Sequence, residues 1–340
     1  MATVDDVAKR AGVSKGTVSN VFSRKRRVSA DVAERVMAAA SELNFKPNYW
    51  ARTLTTKETR IIGLNMPGER MKFSQFHLSL LNGALGVCFD QGYRLLVNTL
   101  LTEYAQRVEF LASDPTDGEI ILDPGMDDKR LMERMTNGTP LVVVGRPQDD
   151  YIHQISYVDN DNIGVARSVI AYLLDSGHQN ILFLNTNEAR TVAKDRARGY
   201  EIAHQRANVE MRPELLLYKE DTLTSMEFGY TKAKQMLADY PGITAIATDT
   251  DKMALGVYQA VREMGLDIPE DVSVFAFSDD SVFASEFNPP LSGVRLNAEQ
   301  LGQEAAKLLI EQLQDNTLPI TSKIIPSELV IRASCKRYPS

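Results

Sequence analysis

Cysteine is scarce in this chain: Cys88 and Cys335 are the only two among 340 residues. The sequence leaves their pairing open, and so sparse a usage suits a reducing cytoplasm. Histidine is scarce too, and the four at positions 77, 153, 178 and 204 have neither metal-ligand spacing nor a neighbouring cysteine. That excludes a His/Cys metal site of the usual kind. His178 falls in Ser176-Gly177-His178, a helix-end turn where a structural role is the default. There is no Gly-rich phosphate loop of the Walker type and no catalytic constellation, so neither an enzyme nor a cofactor is expected. No apolar run is long enough to direct export or cross a bilayer, and Met1-Ala2-Thr3 passes straight into a helix-forming stretch. The expectation is a cytoplasmic protein without membrane contact.

What is present is an uneven charge. Up to Arg60, twelve Lys and Arg face six Asp and Glu, a net of +6; the whole chain carries −7, which leaves −13 for the remainder. The acidic total conceals a basic segment of the kind that meets nucleic acid. Thr3 precedes Val4, Val7 and Ala8, with Asp6 three residues after it in a capping-box arrangement, so a helix is predicted from about Val4 to Ala11. Gly12 supplies the backbone freedom of a tight corner, and Val13 tucks beneath it. Ser14 then caps a second helix whose Val18 and Val21 face inward, leaving Lys15, Gly16, Thr17, Ser19 and Asn20 to point outward. Small and polar groups of this kind reach base edges and phosphates. A basic loop, Arg24-Lys25-Arg26-Arg27, leads to Ser29 as the next cap, and Val32, Val36, Ala40 and Leu43 form the buried stripe of a third helix. Residues 1–46 are thus read as an all-α helix-turn-helix head that binds DNA.

This opening, followed by Phe45-Lys46-Pro47-Asn48 and Ala51-Arg52-Thr53-Leu54, resembles the lactose-repressor/galactose-repressor family of bacterial transcription regulators. The resemblance extends over essentially the whole chain. It implies a hinge over residues 47–60 that folds into a short helix on specific DNA, with a leucine from each subunit of a dimer wedged into the minor groove. By position that leucine is Leu54. Such a wedge unstacks a base step and bends the duplex, a cost that wrapping contacts recover. The DNA-contacting set is Thr3, Ser14, Lys15, Gly16, Thr17, Ser19, Asn20, Arg27, Asn48, Ala51, Arg52 and Leu54. Two departures from the family pattern bear on specificity. Asn20 stands where the family commonly has arginine, and asparagine pairs with adenine rather than guanine. Trp50, the only tryptophan, lies in the hinge.

From Thr59 the sequence changes character. Ile61-Ile62-Gly63-Leu64-Asn65-Met66, Tyr93-Arg94-Leu95-Leu96-Val97, Gly118-Glu119-Ile120-Ile121-Leu122 and Pro140-Leu141-Val142-Val143-Val144-Gly145 are apolar runs separated by helix-length amphipathic segments. The pattern repeats at Asn180-Ile181-Leu182-Phe183-Leu184, Ala245-Ile246-Ala247 and Val272-Ser273-Val274-Phe275-Ala276-Phe277. It predicts two doubly wound parallel sheets covered by helices. An α/β two-lobed core over residues 61–340 resembles the periplasmic sugar-binding fold, whose chain crosses three times between lobes. Crossings are expected near 159–162, 290–295 and 326–327, giving a first lobe of about 61–160 and 294–325 and a second of about 161–291 and 326–340.

Loops after strand ends hold ligands in such sheets. Phe73, Phe76 and His77 follow the first strand, the latter two where the family has paired aromatics. Arg146 follows the fourth strand in a family-like cleft position, and Asp161 lies at the first crossing. Arg196-Ala197-Arg198-Gly199-Tyr200 resembles the family's Arg-x-x-Gly-aromatic signature, which makes Arg196 the principal effector ligand. Asp249-Thr250-Asp251-Lys252-Met253-Ala254-Leu255-Gly256 matches an Asn-Asp-x-Met-Ala-Leu-Gly turn, with Thr250 in place of asparagine and Asp251 as the helix cap. Phe277-Ser278-Asp279-Asp280 resembles an aromatic-Asp-Asp strand ending; measured back from Pro289-Pro290, Asp279 rather than Ser278 takes the ligand slot.

The reading is a regulator whose operator affinity is coupled to a small molecule between the lobes, by about 1–3 kcal/mol in ordinary cases. The sign is open from sequence: effector releases or recruits. A repressor of carbohydrate-utilisation genes with a sugar inducer leads, because release by sugar is commoner in the family. Phosphorylated sugar, nucleoside and purine are alternative effectors. A co-repressed regulator answering to a non-sugar metabolite or a partner protein, and a cytosolic sugar-binding or sugar-processing protein, are alternative functions. One helix-turn-helix makes few base contacts, so a homodimer on a pseudo-palindromic operator is expected. Only about ten residues follow Leu329-Val330-Ile331-Arg332, with no leucine heptads for a tetramerising coiled coil.

Overall fold

Among the described residues, three helices are defined in the first of two units, which runs to Thr59. The structure is a computed structural model that describes residues 2–23, 26–46, 53, 58–66, 73–98, 115–279 and 283–338. Helix α1 (Val4–Ala11) begins where Thr3 and Asp6 exchange capping hydrogen bonds, Asp6 N–H to Thr3 Oγ1 at 3.3 Å and Thr3 N–H to Asp6 Oδ2 at 2.9 Å. It ends at Gly12, whose φ of 65° is a left-handed conformation that costs glycine little. Helix α2 (Lys15–Ser23) follows, its Thr17 N–H donating to Ser14 Oγ at 3.0 Å. Helix α3 (Ala30–Glu42) comes next; Ser29 occupies its cap position but makes no side-chain capping bond. Val7, Ala8, Ala11, Val18, Val36, Ala39 and Ala40 are buried in the shared core, with Val13, Val21, Val32 and Leu43 packed around them.

The second unit, Arg60–Ser340, holds two six-stranded sheets. Strands β1 (Ile61–Asn65), β2 (Arg94–Asn98), β3 (Gly118–Leu122), β4 (Leu141–Val144), β5 (Ser156–Asp159) and a late strand pair in parallel. The second sheet contains β6 (Ile181–Asn185), β7 (Leu216–Tyr218), β8 (Ala245–Thr248), β9 (Ser273–Ala276) and β10 (Ser292–Arg295), all parallel. The late strand β11 (Ser322–Ile324) lies beside β5, and β12 (Glu328–Val330) pairs antiparallel with β10. Apolar residues at nearly every position of the central strands are buried because helices cover both faces.

Helices α4 (Gln75–Asp90), α5 (Lys129–Asn137) and α10 (Ala298–Gln314) belong with the first sheet; α6 (Asn162–Asp175), α7 (Thr191–Ala207), α8 (Ser225–Asp239) and α9 (Asp251–Glu263) belong with the second. The expected crossing at 290–295 needs correction. Ser292–Arg295 is strand β10 inside the second sheet, held by β9 and β12, so the chain leaves that lobe only at Leu296 and Asn297. A short apolar stretch after Pro290 has no periodicity to distinguish a linker from a sheet strand. The chain passes between sheets at Asn160 and again after Ile324. Asn160 ties all three passages: its Nδ2 donates to Leu296 O at 3.0 Å and to Ile325 O at 2.9 Å, one carbonyl from each of the others.

Candidate functional site

The outward face of α2 carries the polar residues singled out in the head. Ser14, Lys15, Gly16 and Ser19 are exposed, Thr17 and Asn20 half-buried, and Val18 beneath them fully buried. Lys15 Nζ pairs with Asp5 Oδ2 at 2.7 Å, and the Ser14 and Thr17 hydroxyls lie 2.9 Å apart at the helix start. Helix N-termini present unpaired N–H groups and a positive dipole end, which suits a phosphate. Thr3 is exposed at the start of α1 with its hydroxyl donating to Asp6, and Arg27 is exposed before α3. Asn48, Ala51, Arg52, Leu54 and Trp50 lie outside the described residues.

Between the two lobes of the second unit is a cavity of about 180 Å³. Arg196 is its centre. The glycine three residues on, Gly199, lets α7 approach α6 so closely that a Cβ there would overlap the Ile163 carbonyl oxygen. That approach sets Arg196 beside Asn162: Nε donates to Asn162 Oδ1 at 3.3 Å, Nη1 pairs with Asp249 Oδ1, and the guanidinium lies over the Phe277 ring at 5.0 Å. The arginine side chain is 6% exposed, so its charge is held by the carboxylate and the ring rather than by bulk water. Phe76, His77 and Thr250 line the same space.

Carboxylates crowd this cavity. Asp159 is raised to about 7 by burial, although the Asn160 N–H and the Asn162 amide favour its ionised form. Asn162 Nδ2 donates to its two oxygens at 3.0 and 3.3 Å. Asp123 is also raised, first because protein surrounds it and then because Asp249 is near, while Arg190 opposes the shift. Its side chain is still 36% exposed to the cleft, so the effect of burial is moderated by solvent. His77 is lowered to about 4 by burial and then by the nearby Lys252, and it is neutral at pH 7.

Several expected effector residues serve other ends. Phe73 is 41% exposed and faces an outer groove, not the cavity. Arg146 pairs with Asp149 and, at 3.4 Å across the cleft, with Asp195; it does not line the cavity. Asp161 is exposed and caps α6, accepting from Gly164 N–H at 2.9 Å. Asp279 is buried under Arg332, which grips it at 2.6 and 3.0 Å, and Ser278 takes the lining position instead. The count back from Pro289-Pro290 selected Asp279, whereas in the structure the carboxylate there is taken up by Arg332 and its neighbour Ser278 faces the cavity. His77 lines the cavity yet acts first as the cap partner of Ser74, whose N–H reaches its Nδ1 at 3.1 Å. Thr250, not Asp251, caps α9, accepting from Met253 N–H at 3.2 Å.

Asp123, Asp159, Asn160, Asn162, Asp249 and Phe277 also line the cavity. Their positions after strand ends signalled them, since the first two end or follow β3 and β5 and the others follow β5, β8 and β9.

Residues 3–48 match the model of bacterial regulatory proteins of the lacI family, and residues 170–335 match the periplasmic binding protein-like domain. The HTH-type transcriptional regulator CelR of Thermobifida fusca is 30% identical over 336 residues, 98% of each chain. The HTH-type transcriptional repressor PurR of Mannheimia succiniciproducens is 32% identical over 346 residues, 99% of each chain. Among solved structures, a CelR-cellobiose complex matches with a TM-score of 0.75 and 28% identity over 98% of this chain and all of that one. A lac repressor dimer bound to operator and the anti-inducer ONPF matches with a TM-score of 0.80 and 26% identity over 98% of both. With a basic three-helix head, a two-lobed core and full-length similarity to such regulators, this chain belongs to the LacI family of DNA-binding transcriptional regulators.

Proposed function

We propose that this protein is a homodimeric repressor of carbohydrate-utilisation genes whose operator affinity changes when a sugar-like effector occupies the Arg196 cavity. The observation that carries the reading is that cavity: a buried arginine stacked on Phe277, with carboxylate and amide groups from both lobes and from a crossing around it. Aromatic faces, carboxylates and a guanidinium are the groups that recognise a polyol. A volume of about 180 Å³ suits one ring-sized ligand. The solved CelR relative holds cellobiose, which supports a carbohydrate class for this cleft.

In the head, Ser14, Lys15, Gly16, Thr17, Ser19 and Asn20 are the direct contacts to DNA, with Thr3 and Arg27 beside them and the hinge residues Asn48, Ala51, Arg52 and Leu54 at the operator centre. The partner in the dimer is a second copy of this chain. Its seat is the outer groove of about 890 Å³, where Phe73 and Leu78 of the first lobe meet Met226, Leu255 and Phe283 of the second, all at least 40% exposed. So much apolar surface is a mark of an interface.

A thermal-shift screen of neutral sugars on wild type and on Arg196→Ala tests the effector assignment. A stabilising sugar whose effect disappears in the variant is the expected result. Stabilisation that survives the substitution removes Arg196 from the site. Operator retention measured against salt tests the other half: log affinity should fall linearly with log salt, and loss of all sequence preference at moderate salt would sink the regulator reading.

A further inference from the structure

Arg196 is the only cation among the described residues that line the cavity, whereas Asp123, Asp159, Asp249 and Asp251 all do. Its Nη1 pairs with Asp249 and its Nε with Asn162. An anion drawn to the guanidinium would also approach the Asp249 carboxylate paired with it. Attraction and repulsion then oppose each other, and the other carboxylates add repulsion to the extent that they are ionised, which for Asp159 grows as pH rises through about 7. Of those, Asp123 has Arg190 3.6 Å away and Asp251 lies in the favourable first turn of α9, but Asp159 has only amide donors. A neutral polyol has no such cost, because its hydroxyls donate to the carboxylates and accept from the arginine.

We propose that Asp249 sets the charge specificity of the cleft: by pairing with Arg196 it reserves the cavity for neutral or cationic polyols and shuts out sugar phosphates and sugar acids. The proposal rests on reading the cavity as an effector site, and it assigns Asp249 as the residue that decides among the effector classes the sequence leaves open. Removing its charge without changing its shape turns Arg196 into an anion site.

The experiment uses the full-length protein and inorganic phosphate, with chloride at matched ionic strength as reference, and reads apparent affinity from thermal shift. Wild type should show no phosphate-specific stabilisation. Asp249→Asn should bind phosphate at least tenfold more tightly, and adding Arg196→Ala should abolish the gain, which separates the cavity from the basic head. Asp249→Ser serves if the first variant is unstable. Phosphate binding by wild type that Arg196→Ala removes would overturn the proposal, as would the absence of any gain in the Asp249 variants. Neutral hexoses and a hexose 6-phosphate run in parallel distinguish the two claims. If no sugar stabilises wild type but the phosphate gain appears, the sugar reading fails and the charge specificity stands. If the hexose phosphate stabilises wild type through Arg196, the charge specificity fails and the effector site stands.

Discussion

Single residues set both what the head reads and how the core responds to acid. Asn20 sits half-buried on α2, and the proposed contact is with a base edge. Asn20→Arg is expected to change preference at one operator base pair by about 1–3 kcal/mol, as read by binding to a set of single-base variants. Uniform weakening across the set would show that Asn20 touches only the backbone. In the cavity, two groups pull stability in opposite directions with pH. Asp159, raised from 3.8 to about 7, holds a proton that the unfolded chain has lost, so its contribution is complete below pH 3.8 and disappears as pH rises through 7. His77, lowered from 6.5 to about 4, resists a proton that the unfolded chain accepts, so its contribution is complete above 6.5 and disappears as pH falls through 4. Between pH 4 and 6.5 the slopes oppose each other. Thermal midpoints of Asp159→Asn should therefore rise with pH across this window more steeply than those of wild type, and those of His77→Asn should fall; profiles that coincide with wild type would refute the assignment.

At the scale of elements, the lobes are joined by two kinds of contact with different consequences. Asn160 is 3% exposed and binds a carbonyl from each of the other two crossings. Asn160→Leu leaves both carbonyls without that donor, at about 1–3 kcal/mol each, and a fall in the urea midpoint of the core should report it. On the far rim of the cleft the lobes meet directly. Met126 N–H donates to Ala189 O at 2.7 Å, Thr191 N–H to Pro124 O at 3.3 Å, and Arg190 Nη1 to Asp123 O at 3.0 Å. Arg146 and Asp195 add an ion pair across the same cleft. A hinge motion of the lobes would have to break the rim contacts, whereas the Asn160 contacts sit where the chain crosses between the lobes. Arg190→Ala should loosen the rim and speed hydrogen exchange at the Met126 and Thr191 amides; unchanged protection there would show that the rim stays closed without Arg190.

For the whole molecule, the proposed regulation depends on pairing two chains. One three-helix head offers a single α2 to the major groove, and two-fold symmetry doubles the contact. Leu255 is 46% exposed on the outer groove, with Ser74, Gln75 and Asp251 belonging to both the groove and the effector cavity. Leu255→Asp should convert the dimer to monomer in sedimentation and reduce operator affinity by more than tenfold, because a buried charge at a symmetric contact is paid for twice. A dimer that survives the substitution would move the interface elsewhere. The shared walls also give a route for linkage, since a ligand that moves the start of α4 or α9 moves the groove with it.

The first two helices of the head were legible from local chemistry, whereas the expected Ser29 cap of α3 makes no capping bond. Thr3, Asp6, Gly12 and Ser14 act on neighbours within a few positions, so caps, corner and helix faces follow from local chemistry and a 3.6-residue period. Seven strands of the core, β1 to β4, β6, β8 and β9, were legible as apolar runs, and Arg196 by the glycine that seats it; the short strands β5, β7, β10, β11 and β12 were not, because three or four residues carry too little pattern. The rest of the cleft was decided by tertiary structure. Asp279 and Ser278 are adjacent in sequence, yet Arg332, 53 positions beyond Asp279, claims the former and leaves the latter to the cavity. Asp249 and Arg196 are likewise 53 positions apart, and Asn160 reaches carbonyls 136 and 165 positions away. Local pattern determines which elements form and which face they bury. Which buried charge finds which partner depends on distances that exist only after the sheets have packed, and those pairings set what the cavity can accept.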